Sequence, residues 1–183
     1  MTYALNDDSA LLCALRAIQA RGAIGEASLE LAIVHAEQFV AALPSGVSTL
    51  VDLGSGGGLP GLVIAVRRPE VHVTLVERRQ SRADLLSRAV KRLGLSEQVI
   101  IRAEDVRILG DSASGSFDAV TARSFAAPPI TARWAGVLLR AGGRLVVSEP
   151  PFDDADRWPT NILTACGLSD HGRQLGVRVF IRS

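Results

Sequence analysis

The chain has few aromatic residues, few cysteines and almost no lysine. These shortages limit the composition of its core and the kinds of site that it can form. Its 183 residues include 5 Phe, 2 Trp, 1 Tyr and 2 Cys, and one lysine stands beside 19 arginines. With so few aromatics, the core must consist mainly of Leu, Val, Ala and Ile. Cys13 and Cys166 have no metal-ligand spacing, so we expect two buried free thiols and no metal site.

Long hydrophobic runs and a basic N-terminal segment are also missing. No apolar run reaches the roughly 20 residues of a membrane span. Asp7 and Asp8 stand where a signal peptide would carry basic residues. We therefore expect a cytoplasmic protein with no membrane partner. The formal net charge of +1 neither supports nor excludes a nucleic-acid partner, because a basic patch can coexist with a neutral total.

The hydrophobic pattern divides the chain into a helical start and an alternating remainder. Apolar spacing predicts helices over residues 10–22 and 26–43. Beyond them, short β-rich runs alternate with helical segments at crossover length, which predicts a mainly parallel sheet with helices on both faces. We divide the chain into an N-terminal helical appendage, residues 1–45, and one compact α/β unit, residues 46–183.

Six runs in that unit predict strands, and four segments predict helices. The strands are expected at residues 47–53, 71–77, 98–103, 117–123, 143–149 and 176–183. The helices are expected at residues 59–67, 81–94, 128–143 and 154–166.

The run VDLGSGGGLPG includes the end of the first predicted strand and a glycine-rich loop. In open α/β sheets, ligands bind beyond the carboxyl ends of the strands. Gly54, Gly56 and Gly58 remove the Cβ atoms that would keep a ligand off the backbone. Two patterns fit the loop. One is G-x-G-x-x-G from Gly56 to Gly61, the dinucleotide fingerprint. The other is D-x-G-x-G-x-G, which starts at Asp52 and is the first motif of S-adenosylmethionine methyltransferases. We expect Asp52, Gly54, Gly56 and Gly58 to belong to the cofactor site.

Two further positions bear on the choice of cofactor. Glu77 closes the second predicted strand, where a carboxylate can accept both ribose hydroxyls of an adenosine. The run RAED, which ends at Asp105, follows the third strand, where a methyltransferase frames its adenine. The α/β unit leaves no second region for a dehydrogenase substrate. The sequence therefore favours S-adenosylmethionine over NAD.

The chain resembles the bacterial 16S ribosomal RNA guanine-N7 methyltransferases, the RsmG or GidB family. The resemblance rests on the segment from Val51 to Leu86 with its GLPG, on IRAEDV, and on FDAVTARSFA. It implies a class I methyltransferase fold. That fold is a Rossmann-like α/β fold with a doubly wound, mainly parallel seven-stranded sheet, here with an N-terminal helical cap.

The resemblance also implies site residues. Gly54 and Leu59 would contact the cofactor, Ala103 and Glu104 would flank its adenine, and Arg123 corresponds to the cofactor-site arginine of the family. Glu77 would take the ribose. The expected partner is ribosomal RNA or the small ribosomal subunit, in the context of rRNA processing.

Three departures separate this chain from the family pattern. The W-N-x-x-x-N-L-T-like segment is absent. His35 has Val34 and Gln38 where arginine and aspartate are expected. Ser148, Glu149 and Pro150 stand where A-[LI]-K-G would place its lysine.

Basic residues and the absence of a visible catalytic dyad bear on the acceptor. Arg78 and Arg82 lie one helical turn apart beside the cofactor edge and are candidates for RNA phosphates. Guanine N7 carries a free lone pair, so its methylation requires no general base, and we assign no catalytic residue. An acceptor that carries a proton would need a base, for which His35 and Glu149 are candidates.

Three alternatives stay open. The chain could methylate a small molecule or another RNA. It could be a non-catalytic nucleotide- or RNA-binding module. It could be an NAD-binding oxidoreductase. Phe125, Trp134, Phe152 and Trp158 are the aromatic candidates for stacking on a flipped base, with Phe125 the best placed.

Overall fold

Seven strands form one sheet in the computed structural model, which describes residues 3–150 and 157–183. The strands are β1 Thr49–Leu53, β2 His72–Val76, β3 Val99–Arg102, β4 Phe117–Ala122, β5 Leu139–Ser148, β6 Leu168–Gln174 and β7 Val177–Arg182. Their order across the sheet is β3-β2-β1-β4-β5-β7-β6. Strands β1 to β5 pair in parallel, whereas β7 is antiparallel to both β5 and β6. The predicted seven-stranded, mainly parallel sheet is confirmed.

The helices of the described residues connect these strands and lead into the first one. They are α1 Tyr3–Gln19, α2 Leu29–Ala42, α3 Gly61–Arg67, α4 Gln80–Arg92, α5 Val106–Ser112, α6 Pro128–Leu138 and α7 Thr160–Ala165. None of these helices is both long and apolar enough to cross a membrane.

Several boundaries differ from the predicted ones. Helix α1 starts at Tyr3, well before residue 10, and α5 was not predicted. The helix expected over residues 128–143 ends at Leu138, because Leu139 pairs with β4 and Gly142 has a φ of +76°. Of the helix expected over residues 154–166, the first three residues lie outside the described part of the chain.

Strand β6 had no predicted position, and its sequence explains why. LSDHGRQ lies at the edge of the sheet, and only its first residue is fully buried. Edge strands are often polar, so they lack the hydrophobic alternation by which a strand is recognised.

Two hydrophobic clusters cover the two faces of the sheet. Along β1, Leu50 packs on the side of α1 to α4, whereas Val51 and Leu53 pack on the side of α5 and α6. This alternation follows from the two-residue period of a strand. Leu15 of α1 and Phe39 of α2 are fully buried in the first cluster. The helices of the predicted N-terminal cap therefore share a core with α3 and α4.

The cysteines are free, but the expectation that both are buried is wrong. Cys13 is exposed, and Cys166 is half-buried. Position 13 falls on the outer face of α1, because Leu11 and Leu15 occupy the inner face. The Cys13 Sγ lies 3.3 Å from the Arg92 Nη2.

At the amino ends of the strands, Asp118 clamps β1 to β4. One carboxylate oxygen accepts hydrogen bonds from the Ser48 N–H at 2.7 Å, the Ser48 hydroxyl at 2.8 Å and the Thr49 N–H at 2.9 Å. The other oxygen pairs with Arg140. Burial alone would raise the pKa of Asp118, but the hydrogen bonds from Ser48 and its neighbours hold that pKa well below its usual range.

We expect Asp118→Ala to lower the free energy of unfolding by about 3 kcal/mol, because the Ser48 and Thr49 N–H groups and the Arg140 guanidinium would lose a charged acceptor. Urea unfolding of the variant at pH 7 measures the loss. Asp111→Ala, at an exposed position of α5, is the control and should change the value by less than about 0.5 kcal/mol. Equal effects of the two substitutions would contradict the assigned clamp.

Candidate functional site

A cleft of about 430 Å³ opens beyond the carboxyl ends of β1 to β4. Each strand contributes through the loop that follows it, as expected for ligand sites in open α/β sheets. The lining consists of Gly54, Val76, Glu77, Arg78, Arg79, Arg82, residues 104–107, residues 124–126, Ile130 and Trp134.

Glu77 joins the loops that follow β1 and β2. Its carboxylate accepts hydrogen bonds from the Gly56 N–H at 3.1 Å and the Arg79 N–H at 2.8 Å, one on each oxygen. The residue is 5% exposed and lines the cleft. Each carboxylate oxygen has a second lone pair, so Glu77 can still accept hydrogen bonds from two ligand hydroxyls.

Gly54 lines the cleft, and Gly56 lies next to it, outside the lining, with its N–H bonded to Glu77. Both have a positive φ, +63° and +53°, which favours glycine. A Cβ at Gly54 would lie 2.8 Å from the Phe125 ring, so the aromatic side chain rests directly on that backbone. A Cβ at Gly56 would come no closer than 3.6 Å to another atom. Gly56 is therefore not crowded by the described residues, and its positive φ is the reason that glycine is favoured there.

The next part of the loop packs against protein rather than the cleft. A Cβ at Gly57 would collide with Ile24, and a Cβ at Gly58 would collide with Leu62 of α3. Leu59 is buried in the hydrophobic core. Gly58 and Leu59 do not line the cleft, so their expected contact with a cofactor stays a prediction.

Asp52 lies beneath the loop and also outside the cleft lining. It is 1% exposed, and its Oδ1 accepts a hydrogen bond from the Thr121 hydroxyl at 2.7 Å. The second oxygen, Oδ2, is buried and has no hydrogen-bond partner among the described residues. Burial raises the pKa of Asp52 to about 6, and the Thr121 hydrogen bond limits the rise. The geometry makes Asp52 a support of the loop.

One wall of the cleft is apolar. It consists of Val76, Val106, Phe125, Ile130 and Trp134. Ile130 is 50% exposed, which is unusual for an isoleucine that has no ligand or partner to cover it. Phe125 and Trp134 were candidates for base stacking, whereas Val106 and Ile130 carried no signal in the sequence.

The segment after β3 supplies carboxylates beside that wall. Glu104 lines the cleft and accepts a hydrogen bond from the Arg102 guanidinium at 2.8 Å. Ala103 is exposed and precedes the lining residues without being one of them. The two predicted adenine neighbours therefore lie at the cleft edge and just beyond it.

Arg123 follows β4 directly but is not part of the cleft lining. Among the described residues, none forms a hydrogen bond or ion pair with its half-buried guanidinium. Its charge acts on Asp52 and on His35 of α2. Burial, and after it the Arg123 charge, lower the pKa of His35.

The second candidate base, Glu149, is already engaged. It is 8% exposed, accepts a hydrogen bond from the Trp158 indole at 2.8 Å and lies 3.5 Å from the Arg157 guanidinium. Trp158 itself is buried, so its ring is not available for stacking on a base. Phe152 lies outside the described residues.

The arginines that follow β1 and β2 differ in whether they pair with acidic residues. Arg67 and Arg68 pair with acidic residues away from the cleft. Arg78 and Arg82, the predicted RNA contacts, line the cleft. Their predicted contact with RNA stays a prediction.

Solved structures establish the class of this fold. Cofactor-bound Rv0187 from MTB superposes with a TM-score of 0.69 at 20% identity, covering 98% of this chain and 92% of that one. An O-methyltransferase family protein from Burkholderia thailandensis superposes with a TM-score of 0.65 at 16% identity, covering 85% of this chain and 56% of that one. The fold is that of the class I methyltransferases, as the resemblance implied.

The family follows from sequence comparison. The family described as "GidB: rRNA small subunit methyltransferase G" matches residues 28–151, and the chain belongs to it.

Two relatives described as ribosomal RNA small subunit methyltransferase G illustrate the match. The protein of Mycolicibacterium smegmatis is 43% identical over 98 residues, 53% of this chain and 41% of the relative. The protein of Mycolicibacterium paratuberculosis is 34% identical over 123 residues, which are 66% of this chain and 49% of the relative. The chain spans about half the length of these curated relatives.

We expect Asp52→Asn to change how stability depends on pH. The folded-state pKa of about 6 exceeds the unfolded value of 3.8. The wild type therefore loses stability as pH rises from about 4 to about 6, by about 3 kcal/mol in all. The amide does not titrate, so the variant lacks this loss.

Urea unfolding of both proteins from pH 4 to pH 8 measures the difference in unfolding free energy between them. Using the difference cancels the titration of all other groups and any constant packing effect. A difference that does not vary with pH would show that Asp52 titrates normally.

Proposed function

We propose that this chain binds S-adenosylmethionine in the cleft and transfers its methyl group to RNA of the small ribosomal subunit. The observation that carries the proposal is the pairing of Glu77 with the Gly56 N–H beside an apolar wall. The description of the family supports ribosomal RNA of the small subunit as the acceptor. The resemblance noted in the sequence implies guanine N7 of 16S rRNA as the position. A ribosomal acceptor supports a cytoplasmic location.

The residues present suit the cofactor. Gly56 leaves room where a Cβ would stand, and Glu77 has free lone pairs for ribose hydroxyls. Ile130 and Trp134 offer an apolar surface to an adenine ring. We assign Gly54, Gly56, Glu77, Ala103, Glu104 and Arg123 to this site, with Asp52, Gly58 and Leu59 holding the loop in place.

Methyl transfer requires the protein mainly to position the methyl donor and the acceptor. When bound, S-adenosylmethionine supplies an electrophilic methyl group, which the acceptor attacks in line. Guanine N7 has no proton to lose, so no residue must act as a base. Glu149 is committed to Trp158, which agrees with an acceptor that requires no general base.

The sheet order argues against the dinucleotide alternative. A dinucleotide-binding sheet has the order 3-2-1-4-5-6. Here the antiparallel strand β7 lies between β5 and β6.

Calorimetric titration with S-adenosylmethionine, S-adenosylhomocysteine and NAD tests the cofactor. We expect saturable binding of the two sulfur ligands and none of NAD, and the reverse would overturn the proposal. Transfer of labelled methyl to unmodified 16S rRNA and to small subunits, with mass analysis of the nucleosides, then tests the acceptor. Cofactor binding without transfer to either would leave a small-molecule methyltransferase or a non-catalytic module.

We expect Glu77→Gln to weaken S-adenosylmethionine binding by about 1–3 kcal/mol, the range for hydrogen bonds to a charged group. The amide nitrogen donates rather than accepts, so either a backbone N–H or a ribose hydroxyl loses its partner. Calorimetry measures the affinity. The matched control is Glu97→Gln, at an exposed position before β3, which should leave the affinity unchanged. Equal affinities of the two variants would remove Glu77 from the binding site.

A further inference from the structure

A groove of about 380 Å³ adjoins the cleft on the side of α4. The cleft and this groove share two lining residues, Arg79 and Arg82. The groove continues into a smaller one of about 190 Å³ between α1 and α4, and the two grooves share Arg21 and Arg88. A continuous surface therefore runs from the cleft to the C-terminal turn of α1. We call Arg21, Arg79, Arg82 and Arg88 the arginine track.

The guanidinium groups of the arginine track have no partners among the described residues. None forms a hydrogen bond or ion pair there, and none interacts with a ring. Arginines elsewhere commonly pair with a carboxylate, as Arg16 does with Glu30 and Arg140 does with Asp118. Unpaired cations concentrated along one groove indicate an anionic partner.

The acidic residue of the larger groove does not neutralise the track. Asp84 lines that groove, but its carboxylate accepts a hydrogen bond from the Gln80 amide at 2.8 Å instead of pairing with an arginine. The smaller groove has no acidic residue among its described lining residues.

The segment that carries Arg21 is fixed to the glycine loop. The Gln19 side chain donates hydrogen bonds to the Gly25 carbonyl at 2.7 Å and to the Ala27 carbonyl at 3.1 Å, which closes this connection between α1 and α2. Ile24 of the same connection lies where a Cβ of Gly57 would stand. The track therefore has a set position relative to the candidate cofactor site.

The lining of the grooves also indicates how a partner is recognised. No aromatic residue belongs to the described lining of either groove, so there is no platform for base stacking. Guanidinium groups bind phosphate oxygens through paired N–H donors. Contacts of this kind position an RNA without reading its sequence.

We infer that the arginine track binds the phosphate backbone of the acceptor RNA along α4 and over the end of α1, beside the cofactor cleft. This inference rests on the proposed function for the identity of the polyanion. The track adds two positions outside the cleft, Arg21 and Arg88, to the RNA-contacting surface. It holds the strand in place and leaves the choice of the methylated base to the cleft.

The test is the affinity of the full chain for an unmodified 16S rRNA transcript, measured over a range of salt concentrations. We expect Arg21→Ala/Arg88→Ala to weaken binding about 10- to 100-fold near 0.1 M salt. The slope of log affinity against log salt should become shallower by about 2, one for each lost phosphate contact. The affinity for S-adenosylmethionine should stay within about twofold.

Lys91→Ala is the matched control, because Lys91 is an exposed cation on the same helix that lies outside both grooves. It should leave the salt slope unchanged. If the double variant behaves like Lys91→Ala, the track does not bind RNA. If the double variant also methylates 16S rRNA with an unchanged KM, this inference fails and the proposed function stands.

Competition identifies the partner. Polyuridylate should displace the transcript from the wild type, whereas polyglutamate of equal charge should not. Equal displacement by polyglutamate would assign the track to an acidic protein and overturn the inference. A wild type that binds S-adenosylmethionine but no transcript would overturn both the track and the RNA acceptor, while the cofactor half of the proposed function would stand.

Discussion

The close packing of the glycine loop is the constraint on which the candidate site depends. Gly57 and Gly58 bring backbone against Ile24 and Leu62 at distances that a Cβ would forbid. The loop is thereby held between α3 and the connection from α1 to α2. Glu77 then fixes the loop to β2 through the Gly56 N–H. A loop held by so many contacts presents its N–H groups and its open space in one arrangement, which lowers the entropy lost when a ligand binds.

Charge is distributed unevenly around this loop. Asp118 is satisfied by donors from two neighbouring strands at the amino ends of the sheet, where it stabilises the fold. Asp52 lies under the loop, and one of its carboxylate oxygens has no hydrogen-bond partner among the described residues. Its burial disfavours the charged form and raises its pKa. Arg78, Arg79 and Arg82 line the cleft and form no ion pair among the described residues. Arg107 of the same lining pairs with Asp105, and Arg67 and Arg68 pair away from the cleft. The charged groups that clamp the amino ends of the strands are thus distinct from those that we propose for binding at the carboxyl ends.

The fold and the family support different statements about function. Structures alike at 16–20% identity establish the class I methyltransferase fold and nothing about the acceptor. The match over residues 28–151 establishes the family. The departures at Val34, at Gln38 and at residues 148–150 do not belong to the described lining of the cleft. The acceptor must therefore be tested separately from the cofactor.

Sequence alone determined the alternating α/β order, the glycine loop and the place of Glu77 at a strand end, because periodicity and glycine content are local properties. Only the tertiary structure decided which groups face the cleft. Gly54 and Gly58 look alike in the motif, yet Gly58 packs against α3 while Gly54 lines the cleft. Ile130 and Val106 line the same cleft, and Arg21 and Arg88 line the same groove, because the fold brings distant segments of the chain together. Such convergence depends on strand order and helix packing, which no local pattern encodes.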